Sequence, residues 1–289
     1  MKTALFWTAG ENKSVKCELC PRNCKISEGK RGFCLARKNI SEQLYSLVYG
    51  NACSAAVDPI EKKPFYHFHP GSKVFSIAAY GCNLACDHCQ NWQIARGDPE
   101  KMPSEDLPPE KVVELAVENN CEGIAYTYTE PTIFYEYALD TCKLAKKAGL
   151  FNVFVSNGMI NREPLKKIAS YLDAVNMDLK AFTDEFYKKY CHFPGGIEPI
   201  KQTARNCLEF GIHLEITTLV IPGHNDSEEE LRNVAEFVKS LSPDVPLHFS
   251  RFFPHYKMSE VAPTPLKTLK LAEKIAREVG IKNVQLGNV

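Results

Sequence analysis

The sequence carries no excess of charge: Lys plus Arg and Asp plus Glu stand at 35 each in 289 residues. A balanced surface sets up no global field for a polyanion, so neither nucleic acid nor an anionic membrane is an expected partner. No apolar run approaches the roughly 20 residues that a bilayer span needs. The apolar part of the opening MKTALFWTAG is also too short for a secretory leader, and a cytoplasmic location is the expectation. Internal repeats and low-complexity tracts are missing as well, leaving an ordinary folded chain whose 44% hydrophobic content can bury a large core.

What the chain does have is cysteine, 12 in all. A chain of this size without a leader is expected to keep its thiols reduced, so clustered cysteines point to metal. Tyr80–Trp92, YGCNLACDHCQNW, holds Cys82, Cys86 and Cys89 in a C-x3-C-x2-C arrangement. A structural zinc or an electron-transfer cluster takes four protein ligands, so three on one loop leave a coordination position open, which is what catalysis requires. Gly81 lets the backbone come close to a metal centre, and His88 sets a flat ring where it could stack on a bound base.

Cys17, Cys20, Cys24 and Cys34 form a second group, C-x2-C-x3-C-x9-C, with four ligands. A closed site of this kind staples a small subdomain, and a structural metal contributes on the order of 10 kcal/mol to folding. Zinc is the preferred reading and a second iron–sulfur cluster the alternative. Basic residues around it, Arg22, Lys25, Lys30, Arg31, Arg37 and Lys38, read as a solvated face. Cys53, Cys121, Cys142, Cys191 and Cys207 read as buried small hydrophobes, with Cys191 beside His192 the one candidate for a reactive thiol.

From Val74 on, strand-like and helix-like stretches alternate. Strands are expected at 74–80, 123–129, 151–157, 174–180, 213–221 and 246–252, with an added edge strand in NVQLGN near the C-terminus. A helix carrying VVELAVEN is expected to open at Ser104, Pro108 and Pro109, and another to run from Thr132 to Lys147 and stop at Gly149. Six β/α units with right-handed crossovers give an α/β fold, a partial (β/α)6 TIM-like barrel. Its functional loops should lie at the C-terminal strand ends. The expected division is 1–72, the N-terminal Cys-rich metal-binding subdomain with its connecting loop, and 73–289, the barrel. The stretch 56–72, AVDPIEKKPFYHFHPGS, is expected to be that loop, since its prolines and charges exclude a long helix.

Polar residues that end apolar strands are poor core formers, and here they recur: Thr129 and Glu130, Asn157, Asp178 and Lys180, Gly223, and His248 with Arg251, the last two expected on one side of their strand.

The Cys82 loop resembles that of the radical S-adenosylmethionine (SAM) superfamily. DPIEKKP, the aromatic–histidine run, GCN, CQNW and GNV resemble one subgroup in particular, the AmmeMemoRadiSam radical SAM enzymes related to the pyruvate formate-lyase activating enzyme. The resemblance covers nearly the whole chain. In that subgroup the chain often continues past GNV with further C-x2-C pairs. The resemblance implies that Cys82, Cys86 and Cys89 hold a [4Fe-4S] cluster whose unique iron binds SAM. It implies further that the Thr129–Glu130 strand end meets the SAM amino group and that Asp178 and Lys180 meet its methionyl part. A lysine there can pair with the SAM carboxylate, the backbone at Gly223 with adenine, and Asp58, Glu61, Lys62 and Lys63 line the site. The function implied is reductive cleavage of SAM to a 5′-deoxyadenosyl radical, with an electron donor such as flavodoxin or ferredoxin. The hydrogen would come from a glycine on a partner protein, as in glycyl-radical activation, or from a small molecule or peptide. The rival class is a non-enzymatic iron–sulfur electron-transfer protein, which would need a fourth protein ligand at the Cys82 loop.

Overall fold

The computed structural model describes all residues, Met1–Val289. Its centre is an eight-stranded sheet in which the strands follow one another in chain order. These are β1 (Ser54–Pro59), β2 (Lys73–Ala78), β3 (Gly123–Tyr126), β4 (Phe151–Ser156), β5 (Ala174–Asp178), β6 (His213–Val220), β7 (Leu247–Arg251) and β8 (Val284–Gly287). β2 to β8 pair in parallel, whereas β1 runs antiparallel to β2. The expected six strands are therefore present, each ending one to three residues earlier than expected, and NVQLGN supplies the edge strand. β1 and β8 do not pair with each other, so the barrel stays open.

The crossovers are helices α1 (Pro109–Glu118), α2 (Tyr135–Lys147), α3 (Arg162–Ala169), α4 (Glu198–Glu209), α5 (Glu228–Leu241) and α6 (Leu266–Val279). α5 shows why the sequence makes them. The Ser227 hydroxyl accepts from Glu230 N, three glutamates fill the first turn, and Leu231, Val234, Ala235 and Val238 put one apolar face on the sheet. α1 begins at Pro109 with proline at the first position, and Ser104 lies outside it. The expected helix from Thr132 divides into a 3-10 turn over Pro131–Phe134 and then α2.

The stretch 56–72 differs most from expectation. It starts inside strand β1, so the barrel sheet begins at Ser54, ahead of the division expected at 72/73. It then turns at Ile60–Lys62 and folds under the barrel as a plug. Ile60 and Phe65 are fully buried with Val74, Ala125, Phe151, Val153 and Ala174, which alternate along their strands toward the barrel interior. The plug's backbone is satisfied from inside: Glu215 accepts from the amides of Tyr66 and His67, and Asn176 donates to Pro64 O. No helix is long and apolar enough to cross a membrane.

Residues before β1 form two small antiparallel sheets around the second cysteine group, Trp7–Ala9 with Val15–Cys17 and Lys25–Ile26, and Lys2–Thr3 with Gln43–Ser46 and Arg37–Ile40. They do not stand apart. Val15, Leu19, Ile26, Ala36 and Leu44 share one apolar core with the helical layer of the barrel. Arg37 is buried in an ion pair with Glu136 of α2 and donates to Leu5 O. Phe6 packs edge-on against Tyr135.

Candidate active site

β2 runs directly into the Cys82 loop, so the three cysteines sit at the C-terminal mouth of the barrel. The loop is held from several elements. Asn83 donates to Met159 O, Ala85 N to Cys191 O and Asp87 N to Tyr190 O, while Asn91 donates to Tyr128 O after β3. Asp87 also pairs with His192 at 2.8 Å and Lys257 at 3.0 Å. Gly81 has φ +110, and a Cβ there would lie 2.3 Å from Cys34 O, so only glycine lets the two cysteine segments touch.

The strand ends converge on these thiols from two directions. On one side Asn157, after β4, donates to Cys82 Sγ at 3.6 Å and to Asn83 Oδ1 at 2.9 Å. On the other, Lys180 and Asp178 form a 2.8 Å pair at the end of β5, whose opposed charges both act on Cys86 and Cys89. Burial pushes the Cys82 thiol well up and that of Cys89 to about 11. Buried thiols of this kind become ligands only when a metal takes their protons.

Glu130 differs from the expected ligand contact. It is fully buried, and its carboxylate is spent inside the protein. Oε1 accepts from Thr132 N at 3.0 Å, Thr132 Oγ1 at 2.7 Å and Ser156 Oγ at 2.9 Å, and Oε2 accepts from Asn157 N at 2.7 Å. It therefore caps the 3-10 turn and locks the end of β3 to that of β4, which fixes Asn157 against Cys82. Thr129 likewise donates inward, to Ala79 O. His88 is 6% exposed, lies 5.9 Å from the Phe186 ring and leaves Nδ1 without a partner. Gly223 occupies a turn at φ +74 with its amide on Asp226.

The structure does not bring His248 and Arg251 together. They are three residues apart in a strand, and the period of two sends them to opposite faces. His248 points into the barrel, 2.7 Å from Glu215 and packed against Tyr66 and His67 of the plug. Arg251 points outward and donates to Thr264 O. Asp58 and Lys63 do enter the barrel: both are buried, paired at 2.7 Å, and joined by Tyr128 OH on the same carboxylate oxygen. Burial alone would raise the Asp58 carboxyl, but Lys62, Lys63 and Tyr128 together hold it well below its ordinary range. Lys62 is largely exposed, and Glu61 accepts from Gly71 N within the plug.

One group escaped the sequence reading, and another was marked there only as a candidate reactive thiol. Glu215 lies in the middle of an apolar strand with no motif to mark it. Cys191, in contrast, had its neighbour His192 as a signal; it is buried and close enough to Cys86 to push that thiol up.

Comparison with known proteins agrees with this geometry. The family model of the Radical SAM superfamily matches residues 76–237. An uncharacterized protein of Methanocaldococcus jannaschii is 46% identical over 290 aligned residues, covering 100% of this chain and 86% of that protein. The pyruvate formate-lyase-activating enzyme of Clostridium pasteurianum is 24% identical over 166 residues, 56% of this chain and 67% of the enzyme. Among solved structures, a radical SAM methyltransferase from Sphaerobacter thermophilus superposes with a TM-score of 0.58 at 15% identity, over 76% of this chain and 67% of that one, which bears on the fold alone. With its family match spanning more than half of the chain and its cysteine loop at the mouth of an open parallel barrel, this chain belongs to the radical SAM superfamily.

Proposed function

We propose that Cys82, Cys86 and Cys89 hold a [4Fe-4S] cluster on which SAM binds, and that the enzyme abstracts a hydrogen atom from a glycine of a partner protein. When bound, cluster and SAM together supply a 5′-deoxyadenosyl radical, made by one-electron cleavage of a carbon–sulfur bond. The residues present fit these groups. Three thiols share one loop, Cys86 buried and Cys82 and Cys89 partly so, and Asn157 donates to the Cys82 sulfur.

The observation that carries the reading is the Lys180–Asp178 pair beside Cys86 and Cys89. Lys180 offers its ammonium to the SAM carboxylate, and Asp178, whose Oδ1 is free of protein donors, offers an oxygen to the SAM amino group. Glu130 acts behind them as a positioning residue through Asn157. His88 and the turn at Gly223 flank the base, and Asp58, Lys63 and Tyr128 line the barrel beneath. A partner-protein substrate is supported by the relationship to activating enzymes and by the gap between β1 and β8. The electron comes from a flavodoxin- or ferredoxin-class donor.

Anaerobic reconstitution tests this. Cys82→Ala, Cys86→Ala and Cys89→Ala should each lose the cluster, and the parent should form 5′-deoxyadenosine from SAM with reductant. If Cys86→Ala kept its full iron and sulfide, the assignment would fail. Incubation with deuterated cell extract then locates the abstracted hydrogen: label in 5′-deoxyadenosine that tracks a protein fraction supports the glycine reading, and label that tracks a small-molecule or peptide fraction replaces it.

A further inference from the structure

We infer that Asp87 is a positioning residue for the Cys82 site and that its charge lowers that site's reduction potential, with Lys257 as a partial offset. Asp87 lies between Cys86 and Cys89, so no more than about 7 Å of chain separates it from either ligand. The segment from Cys82 to Cys89 holds no Lys, Arg, Glu or second Asp. A negative charge that close to a metal centre disfavours an added electron. The Asp87 side chain is 18% exposed, which limits screening by water.

Two further segments hold that charge in place. Asp87 Oδ1 meets His192 Nε2 at 2.8 Å and Lys257 Nζ at 3.0 Å. Its backbone is tied to the same two segments, the amide to Tyr190 O and the carbonyl to Lys257 N. Both segments bend to reach it: His192 has φ +53, and Tyr256, next to Lys257, has φ +52. Left-handed backbone is uncommon outside glycine, and at a tyrosine it is strained; such strain persists only where the surroundings over-determine it. Tyr256 in turn stacks on Trp92, three residues past Cys89, with the rings 4.8 Å apart and 13° from parallel. The stretch from Cys86 to Trp92 is thereby clamped from outside at two points. An ordinary surface ion pair needs none of this, because exposed pairs contribute little and tolerate loose geometry. The two charges differ in reach, since Lys257 is 53% exposed and water screens its ammonium more than the carboxylate it meets. The pair therefore leaves a net negative field on the loop. No step is added to the chemistry: the one electron a donor delivers is the one passed to SAM, and Asp87 alters only its free energy. A lower potential makes that electron the stronger reductant for a carbon–sulfur bond.

The inference rests on the proposed Cys82 cluster. Redox titration of the anaerobically reconstituted full chain, followed by electron paramagnetic resonance, reads the midpoint, with iron and sulfide measured alongside. Asp87→Asn keeps the shape and removes the charge. At a fixed poise it should raise the reduced-to-oxidised ratio about tenfold, a midpoint shift of about 59 mV. It should nonetheless form 5′-deoxyadenosine more slowly than the parent, because its electron is the weaker reductant. Lys257→Met should shift the midpoint the other way and by less. Asp87→Asn/Lys257→Met, which conserves net charge, should return toward the parent. A clamp that merely holds the loop would instead shift both single variants alike and the double variant further, so like-signed shifts, or none, overturn the inference. If Asp87→Asn loses its iron, Lys257→Met decides, since that side chain is half exposed and outside the loop: a lower midpoint supports the inference, and an unchanged or higher one overturns it. A parent without a cluster sinks the Cys82 assignment itself, whereas a parent cluster indifferent to both charges sinks this inference alone.

Discussion

Glu130→Gln separates a positioning residue from a cofactor ligand. The substitution keeps the shape of a side chain that is fully buried and accepts four hydrogen bonds. If the amide oxygen keeps the Thr132 and Ser156 donors, the new NH2 must face the Asn157 amide, donor against donor, where a 2.7 Å bond had been. A hydrogen bond to a charged acceptor contributes about 1.5–3 kcal/mol, and leaving a buried donor unpaired costs a further 1–3 kcal/mol. A loss of about 3 kcal/mol is expected, which in a protein of this size lowers Tm by roughly 6–12 °C. Asn157 then loses its fixed place against Cys82, and SAM affinity should fall by about tenfold while iron content is kept. Thermal unfolding followed by circular dichroism under anaerobic conditions, with equilibrium binding of SAM, reads both effects. A variant with unchanged Tm but SAM affinity lost by more than a hundredfold would refute the reasoning, because it would make Glu130 a direct ligand with no part in holding the strand ends.

Lys180→Ala should weaken SAM binding and slow 5′-deoxyadenosine formation by about tenfold or more at unchanged iron content; parent-like values in both assays would reduce the Lys180–Asp178 pair to a structural role. Cys191→Ala should keep the iron that Cys86→Ala loses, as a neighbour of the cluster would, and equal iron loss in the two would make it a fourth ligand and favour the electron-transfer protein. The third concerns acid stability. Burial raises the Glu215 carboxyl, but hydrogen bonds from His213, His248 and the plug amides outweigh it and hold it at about 2, below its ordinary 4.5. The native state therefore favours the ionised form, and this contribution, about 3 kcal/mol, is present above pH 4.5 and fades as pH falls toward 2. The stability difference between parent and Glu215→Gln should be flat above pH 4.5 and shrink below it; a difference that stays constant to pH 3 would rule this out.

The plug shows most clearly where reading the sequence stops. Prolines and charges in 56–72 rightly excluded a long helix, yet nothing local says that Ser54–Pro59 extends the sheet or that Phe65 fills the barrel floor. Both depend on partners far along the chain: Tyr66 and His67 find Glu215, 149 and 148 residues away. Asp58 and Lys63, on the face of it a surface charge run, became a buried pair because Tyr128 and the barrel interior close over them. His248 and Arg251 had a decisive local signal in their spacing, since an odd interval in a strand separates faces.

By itself the sequence determined everything that local spacing can encode. Three thiolates within eight residues must share a loop, and four thiolates N-terminal to them form a second group. Alternating apolar runs and amphipathic helices impose a parallel sheet with its functional mouth at the strand ends. The tertiary structure decided what depends on distance in space: that Glu130 is consumed in bonding β3 to β4, that Cys191 comes near enough to Cys86 to push its thiol up, and that Asp58 and Lys63 meet Tyr128 inside the barrel. The physical reason is that a hydrogen bond or a ligand shell is fixed by ångströms between side chains from different elements. A strand's hydrophobic pattern sets which way those side chains face, and the packing of the whole barrel sets which of them meet.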